Sequence, residues 1–453
     1  MHRPVVPAVA GPTTTPDTRP TTAATPPTAG ACSLTLHGLA CRVPVRLLGE
    51  RAEELRTSLT AAWSRCLTPD GCLTQDGNPT QDDGALVTDP IAVRLGSALP
   101  APDQAPDAGP GADVVQVDGH RLDAVLQHTT QAVTRALIAA QTGRLLMFHA
   151  GACADPATGA TVAYVASSGT GKTTLSRVLG RTLGYLTDET VGITADGSVL
   201  PYPKPLSIRQ DGTAAPKRES SPDDLHLLPA PADPWLRRIV LLHRTDTHSG
   251  PPTVEPLELP EAVIALAPES SALSSLDHPL QLLSELLAGT GPVLRCTYRE
   301  AAQLVPVLTS LAEEPLPTSD RPPRRGGTEP PSAPTRHTPA PPRRSHDAGH
   351  RSPGTDPLRA CDGGLLRVEP EDSLTLADGL LLLYQHTVVR LSDVGRAIVA
   401  LCDQPRTDAE IAGRLAAEFG HPPQGSIEDA ARDAVDMLVS GGILRRTGPG
   451  TCR

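Results

Sequence analysis

Aromatic side chains are nearly absent from this 453-residue sequence: two Phe, five Tyr and two Trp, or 2%. That is too few to stack successive bases of a nucleic-acid strand. Positive charge is short as well. The net charge is −11, the wrong sign for neutralising a phosphate backbone, so no nucleic-acid partner is expected. Long hydrophobic runs are missing. None approaches the ~20 residues needed to cross a bilayer, and the N-terminus shows no apolar signal segment, so no membrane contact and a cytoplasmic location are expected. The nine cysteines are odd in number and include no CxxC pair, which fits a reducing compartment and gives no metal framework. Lysine is scarce too: Lys172, Lys204 and Lys217 stand against a large excess of arginine. Where an ordinary surface cation suffices the chain uses Arg, so a lysine kept inside a motif is there for its compact ammonium.

What is present starts with Ala166-Ser-Ser-Gly-Thr-Gly-Lys-Thr-Thr174. The apolar run Thr161–Val165 before it reads as a buried strand, and Leu175–Leu183 after it as a short helix. Strand, glycine-rich turn and helix form the context a phosphate-binding loop needs. Ser167, Ser168, Gly169, Thr170, Gly171 and Thr174 would cradle phosphates with backbone N–H groups at a helix N-terminus. Lys172 would reach the outer phosphates and Thr173 would hold Mg²⁺. Ala166 stands where the first glycine of such a loop is usual. A guanine-selecting loop needs a lysine after Asn or Thr, whereas Lys204 and Lys217 both follow Pro, which favours ATP over GTP.

The composition divides the chain. Residues 1–30 are Pro, Thr and Ala with little to bury and are expected to be disordered. Residues 31–143 read as an N-terminal extension, with strands at Arg42–Leu47 and Ile91–Leu95, a helix at Leu122–Thr142 and a loop over 68–85. Residues 144–314 carry the loop and a strand at Arg238–His243. Residues 315–357 form a linker rich in Pro, Arg, Ser and His, extended and mobile in expectation. Apolar patterning returns over 358–447. Strands are expected at 364–368, 379–383, 387–391 and 443–446, and helices at 394–402, 408–419 and 427–440, with Thr407 and Ser426 as N-caps. The order suggests a winged-helix-like module. The fold class expected is an α/β phosphate-loop kinase domain plus a small α+β winged-helix-like domain, joined by a disordered linker.

Around the loop, Tyr185-Leu-Thr-Asp-Glu189 reads as an apolar strand ending in paired acids, suited to Mg²⁺ coordination and base chemistry. A right-handed crossover would bring Asp188 and Glu189 to the carboxyl edge of the sheet, on the next parallel strand. His149 ends the apolar run Leu145–Phe148; it either orients a hydroxyl or stabilises the transferring phosphoryl group, or else is a satisfied core histidine. Lys204 and Arg209, in a segment stiffened by three prolines, either project towards a substrate phosphate or belong to a proline-rich edge.

Phe148-His-Ala150, Ala166–Thr174, Tyr185–Glu189 and Pro203-Lys-Pro-Leu206 together resemble the HPr kinase-like branch of phosphate-loop kinases, kin to ATP-dependent phosphoenolpyruvate carboxykinases. The resemblance covers about residues 120–310, with Arg295-Cys-Thr-Tyr-Arg299 near its end. It implies that His149 is an active-site histidine and that Asp188 takes the proton from a substrate serine. It implies that Glu189, where the family normally has Asp, binds metal. The family's signature for gripping HPr is not recognisable, so HPr is not expected as substrate. The C-terminal part, about 360–447, resembles a PqqD-type peptide-recognition domain, carried by the strands at 364–391, Asp393–Ile398, Pro405–Ile411 and Gly441–Leu444. That likeness implies capture of the leader of a ribosomally made precursor peptide by strand addition.

Combined, these features lead to an ATP- and Mg²⁺-dependent kinase that phosphorylates a Ser or Thr of a precursor peptide. Residues 358–447 would hold the leader, and the linker would raise its effective concentration. Other peptide-modifying enzymes are further candidate partners, and the oligomeric state stays open. By resemblance, lasso-peptide tailoring kinases work in this way. Two rivals belong to other classes: a non-catalytic chaperone whose peptide capture is gated by ATP, and an ATP-sensing winged-helix transcription factor. Acids outnumber Arg from Leu358 onward, which disfavours the latter.

Overall fold

The computed structural model describes residues 32–67, 86–96, 115–167, 169–209, 216–314, 364–377, 379–422 and 424–447. The tail 1–30, the loop 68–85, the linker 315–357 and Ser168 of the glycine-rich loop lie outside them. No helix among the described residues is long and apolar enough to cross a membrane.

Residues 32–141 build their own sheet. β1 (Cys32–Gly38) and β2 (Cys41–Leu48) pair antiparallel and alternate apolar with polar residues, so Leu34, Leu36, Val43, Val45 and Leu47 all turn inward. β3 (Leu86–Val87) and β4 (Ile91–Leu95) run parallel to β2, and β5 (Val115–Gly119) parallel to β4. Helix α1 (Ala52–Ala62) and the long α2 (Leu122–Gln141) bury Leu55, Leu59, Val125, Val133 and Leu137 in the same core. Helix α2 also reaches the next body. Thr130 Oγ1 donates to Glu219 at 3.0 Å, and the Thr134 and Tyr202 hydroxyls meet at 2.9 Å.

The central body is a mixed sheet with β6 (Leu146–Ala154) as its rail. β7 (Ala160–Val165) runs antiparallel along one side of it and leads through the glycine-rich loop into α3 (Lys172–Leu179). β8 (Gly184–Thr187) and β9 (Thr190–Ile193) run antiparallel along the other side. β7 and β8 therefore point the same way but are not neighbours, because β6 lies between them. The expected crossover to an adjacent parallel strand is corrected accordingly. Asp188 and Glu189 do follow the carboxyl end of β8, in the break before β9, level with the end of β7 that leads into the loop. Past them come β10 (Val199–Leu200), paired with β9, and a small ribbon of β11 (Leu206–Ile208) and β12 (Arg218–Ser220). β13 (Trp235–Arg244) lies parallel to β7 and is followed by β14 (Thr253–Pro256), α4 (Leu259–Leu266), β15 (Ser270–Ser271) and α5 (Pro279–Thr290). β16 (Leu294–Tyr298) lies parallel to β13 and antiparallel to β14, and α6 (Leu304–Glu313) closes the body. Helix α3 starts at Lys172 rather than at Leu175, because Gly171 at φ 105° serves as its left-handed N-cap.

In the C-terminal part, β17 (Leu365–Arg367) pairs with the last strand, β21 (Leu444–Arg446), not with the other strands of the expected triplet. Its place there is taken by β18 (Asp372–Leu376), which joins β19 (Gly379–Tyr384) and β20 (Thr387–Leu391) in an antiparallel sheet. Helices α7 (Asp393–Leu401), α8 (Asp408–Phe419) and α9 (Ile427–Ser440) start at Ser392, Thr407 and Ser426, whose hydroxyls accept from Gly395, Glu410 and Asp429 N–H groups. Thr407 and Glu410 form a reciprocal capping box. Leu382, Leu391, Ile398, Ile411 and Val435 make the domain's own core.

The other face of that sheet is covered too. Leu381, Leu383 and Val388 join the central body's core with Ala262, Val263, Leu266 and Leu280. Burying each such side chain is worth about 1.5–3 kcal/mol. Two hydrogen bonds add direction: the Leu280 N–H, in the first turn of α5, donates to Asp372 at 2.8 Å, and Gln281 Nε2 donates to the Ser373 carbonyl at 2.7 Å. A purely tethered domain would leave this face in water.

Candidate functional site

Three consecutive residues of β6 gather the site. Ala150 pairs with Val165, the last residue before the glycine-rich loop, and donates its N–H to the Glu189 carbonyl at 3.1 Å. His149 pairs with Thr190, and Phe148 pairs with Ser270 on β15. The loop entrance, the acidic pair and the 267–271 turn therefore meet over Phe148, His149 and Ala150. The register of one strand does this, with no long-range side-chain contact required.

The loop is shaped for an anion. Gly169 and Gly171 adopt φ of 85° and 105°, and no atom lies within 4 Å of where a Cβ would stand on either. Backbone is thus exposed to close approach from that side. Lys172 Nζ donates to the Ala166 carbonyl and, at 3.1 Å, to the Ser167 carbonyl. Burial holds its pKa below the usual lysine value, while Glu269, Asp188 and Glu189 pull it back up. Thr170 Oγ1 donates to the Ser167 carbonyl at 2.8 Å, and Tyr298 braces the loop through the Thr170 carbonyl at 3.3 Å. Tyr298 belongs to the Arg295–Arg299 stretch. Thr173 is half-buried and Thr174 exposed in the first turn of α3.

Lys204 is placed differently from either sequence expectation. It is 1% exposed, and its ammonium lies 2.9 Å from Asp188 Oδ1 and 3.1 Å from Glu189 Oε2. It is the counter-ion of the two acids and does not reach outward. Burial alone would lower its pKa, but Asp188, Glu189 and Glu219 together raise it well above the usual range. Tyr185, fully buried, also donates to Asp188 Oδ1 at 3.2 Å. Both contacts fall on one oxygen of Asp188, whose side chain is 2% exposed; Glu189 is 34% exposed. Arg209 is exposed just beyond β11, away from this buried pairing.

His149 Nδ1 lies 3.7 Å from Glu269 Oε2. Burial, then Lys172, lowers its pKa below the usual value; Glu269, Glu189 and Asp188 act the other way. The neutral ring therefore dominates at pH 7. A cavity of about 340 Å³ opens beside it, lined by Gln131 and Arg135 of α2, by Glu189 and by Glu269, Ser270 and Ser271. Glu269 and the α2 residues carry no motif signal in the sequence. Lys204 did carry one, since the scarcity argument made for Lys172 applies to it equally.

Among the described residues no group of three or more His, Cys, Asp or Glu side chains could hold a metal ion. Mg²⁺ bound beside phosphates takes only one or two protein ligands and completes its octahedron with phosphate oxygens and water. Thr173 is half-buried and the Glu189 side chain is 34% exposed, so solvent reaches both. Of the six cysteines among the described residues, all but Cys32 are buried.

Residues 379–444 match the family model of Coenzyme PQQ synthesis protein D (PqqD). The match runs from β19 to β21 and includes all three helices of the C-terminal domain. The chain thus combines a mixed α/β body with a small PqqD-like domain at its C-terminal side. No curated protein matches the chain.

Proposed function

We propose that the chain is an ATP-dependent kinase that transfers a phosphoryl group to a Ser or Thr hydroxyl of a ribosomally made precursor peptide. The PqqD-like match supports a role in peptide modification and a peptide partner held by the C-terminal domain. The observation that carries the kinase reading is the register on β6, which sets His149, Asp188 and Glu189 level with the entrance of the glycine-rich loop. Acids beside a phosphate loop are what hydroxyl phosphorylation needs. In this reading residues 144–314 are a phosphate-loop kinase domain of the HPr kinase-like kind.

The chain's own groups divide the work. Lys172 exchanges its backbone carbonyls for the outer phosphates, and the N–H groups of residues 169–174 receive the inner ones. Thr173 and Glu189 would hold Mg²⁺, which when bound draws off phosphate charge. The free oxygen of Asp188 takes the proton as the acceptor hydroxyl oxygen bonds to the γ-phosphorus and the bond to the ADP oxygen breaks. Lys204 and Tyr185 both engage one oxygen of Asp188, which fixes the carboxylate and leaves its other oxygen for that proton. Neutral His149, steadied by Glu269, orients the hydroxyl.

One observation favours a second reading, the ATP-gated chaperone. Asp188 is tied down by both Lys204 and Tyr185, an arrangement that also suits a purely structural acid. Incubation of the full chain with Mg-ATP and the precursor peptides encoded beside its gene, followed by intact-mass measurement, separates the two. Gain of one phosphoryl group that Asp188→Asn abolishes is the kinase outcome. Leader binding with no mass gain, unaffected by Asp188→Asn but lost in Lys172→Ala, is the chaperone outcome.

A further inference from the structure

β19 reads Gly-Leu-Leu-Leu-Leu-Tyr, apolar at successive positions rather than at alternate ones. A strand of that kind is buried on both faces. Leu380, Leu382 and Tyr384 face the domain's own helices, while Leu381 and Leu383 face the central body. On β20 the same alternation puts Val389 and Leu391 on the first face and Val388 on the second. The docked position of the C-terminal domain is therefore written into its sheet.

Docking has a direction. β20 packs against α4 and against the turn Ala267–Glu269. That turn carries Glu269, which touches His149, and continues into Ser270 and Ser271 on the wall of the 340 Å³ cavity. Among the described residues β20 pairs with β19 alone, so its other edge carries no strand partner among them.

We infer that this second edge of β20 and the cavity beside His149 are the two ends of one peptide track, laid over the 267–271 turn. A leader added to β20 leaves it at that turn and delivers the following residues to the cavity. There Gln131, Arg135, Ser270 and Ser271 offer donors and acceptors to an extended, hydroxyl-bearing segment. The distance from leader to acceptor is then fixed by the docked domains, not by the length of chain that joins them. The inference rests on the leader-recognition reading of the C-terminal domain, and only its kinetic arm depends on the kinase reading.

The test uses the full chain and precursor peptides encoded beside its gene, with binding first measured by fluorescence anisotropy. Gly-Ser insertions are then placed between leader and acceptor. A fixed track gives a sharp optimum, with kcat/KM falling at least tenfold within about four residues of it. A loose tether gives a shallow decline, about threefold per doubling of spacing, and that result overturns the inference. Asp372→Ala with Gln281→Ala, which removes the two bonds between the domains, is expected to broaden the optimum without changing anisotropy. A second arm replaces the acceptor by a photo-crosslinking benzoylphenylalanine and maps the adducts. Adducts at residues 131–135 and 268–271 support the track even where no phosphoryl transfer occurs, the case in which only the kinase reading falls. Adducts scattered elsewhere on a bound peptide overturn the track alone. Absence of any binding removes both the track and the leader-recognition reading.

Discussion

Replacing Lys204 by Met tests the charge arrangement at the heart of the site. The ammonium is fully enclosed and serves two carboxylates, at 2.9 and 3.1 Å. Removing one partner of a buried pair leaves the other uncompensated, at a cost of about 3–5 kcal/mol. The loss falls mainly on Asp188, because Glu189 is partly exposed and keeps some water. For a body of some 200 residues each kcal/mol moves the melting temperature by about 2–4 °C, so a drop of roughly 6–20 °C is expected. Both tryptophans, Trp63 and Trp235, lie outside the C-terminal domain, so their fluorescence follows the melt of the part that holds Lys204. Adding Asp188→Asn should return several degrees, since the pair is then removed as a whole; contacting residues show coupling of about 0.5–3 kcal/mol. A fall of under about 2 °C, or additivity in the double variant, would refute Lys204 as the counter-ion.

Three other outcomes are expected. Lys172→Ala should lose about 1.5–3 kcal/mol of Mg-ATP affinity, roughly ten- to a hundredfold by calorimetry; unchanged affinity would remove the phosphate-loop reading. Gly151→Ala would bring a Cβ to 2.2 Å from the ring of fully buried Tyr164, whose hydroxyl is held by Ser176 at 2.5 Å. Such overpacking costs about 1–3 kcal/mol, visible in the same tryptophan melt. His149 has a folded pKa below its unfolded value of about 6.5, so the unfolded chain binds the proton first. Stability is unaffected above that value and declines as pH falls from it towards the folded pKa. His149→Gln should flatten this decline in melts taken from pH 7.5 to 5.

Much of the fold was legible wherever periodicity and end signals agreed. Ile91–Leu95, Thr387–Leu391, Asp408–Phe419 and Ile427–Ser440 come out at the residues their patterns give, and Thr407 and Ser426 cap as their chemistry dictates. Partnership was not legible. β7 and β8 share a direction but flank β6, because β6 arrives antiparallel between them, and no local pattern records which strand fills a gap. β18 was missed because Asp-Ser-Leu-Thr-Leu alternates only weakly and its two leucines are only half-buried. At the site, the glycine loop and the acids announce themselves by motif. Glu269 does not, since its position depends on β15 pairing with Phe148 far away in sequence.

The two lysines of the site show how burial sorts like residues into unlike tasks. Lys172 rests on two carbonyl oxygens, neutral acceptors whose net worth is about 0.5–1.5 kcal/mol each, or up to 3 with a charged donor. It sits at the mouth of a loop whose glycines face open space. In the proposed kinase reading, charged phosphate oxygens would outcompete those carbonyls, and this ammonium would change partners within the free energy of nucleotide binding. Lys204 cannot. Leaving its pair costs several kcal/mol on each side of the bond, no open space adjoins it, and Glu219 adds a third carboxylate to hold it. In that reading an exchangeable cation would face the ligand, while a fixed one holds the acid beside it in place. Exchanging Lys172 for Arg should then impair ligand exchange, whereas Lys204→Arg should fail on volume, because a planar guanidinium does not fit where a compact ammonium meets two carboxylates.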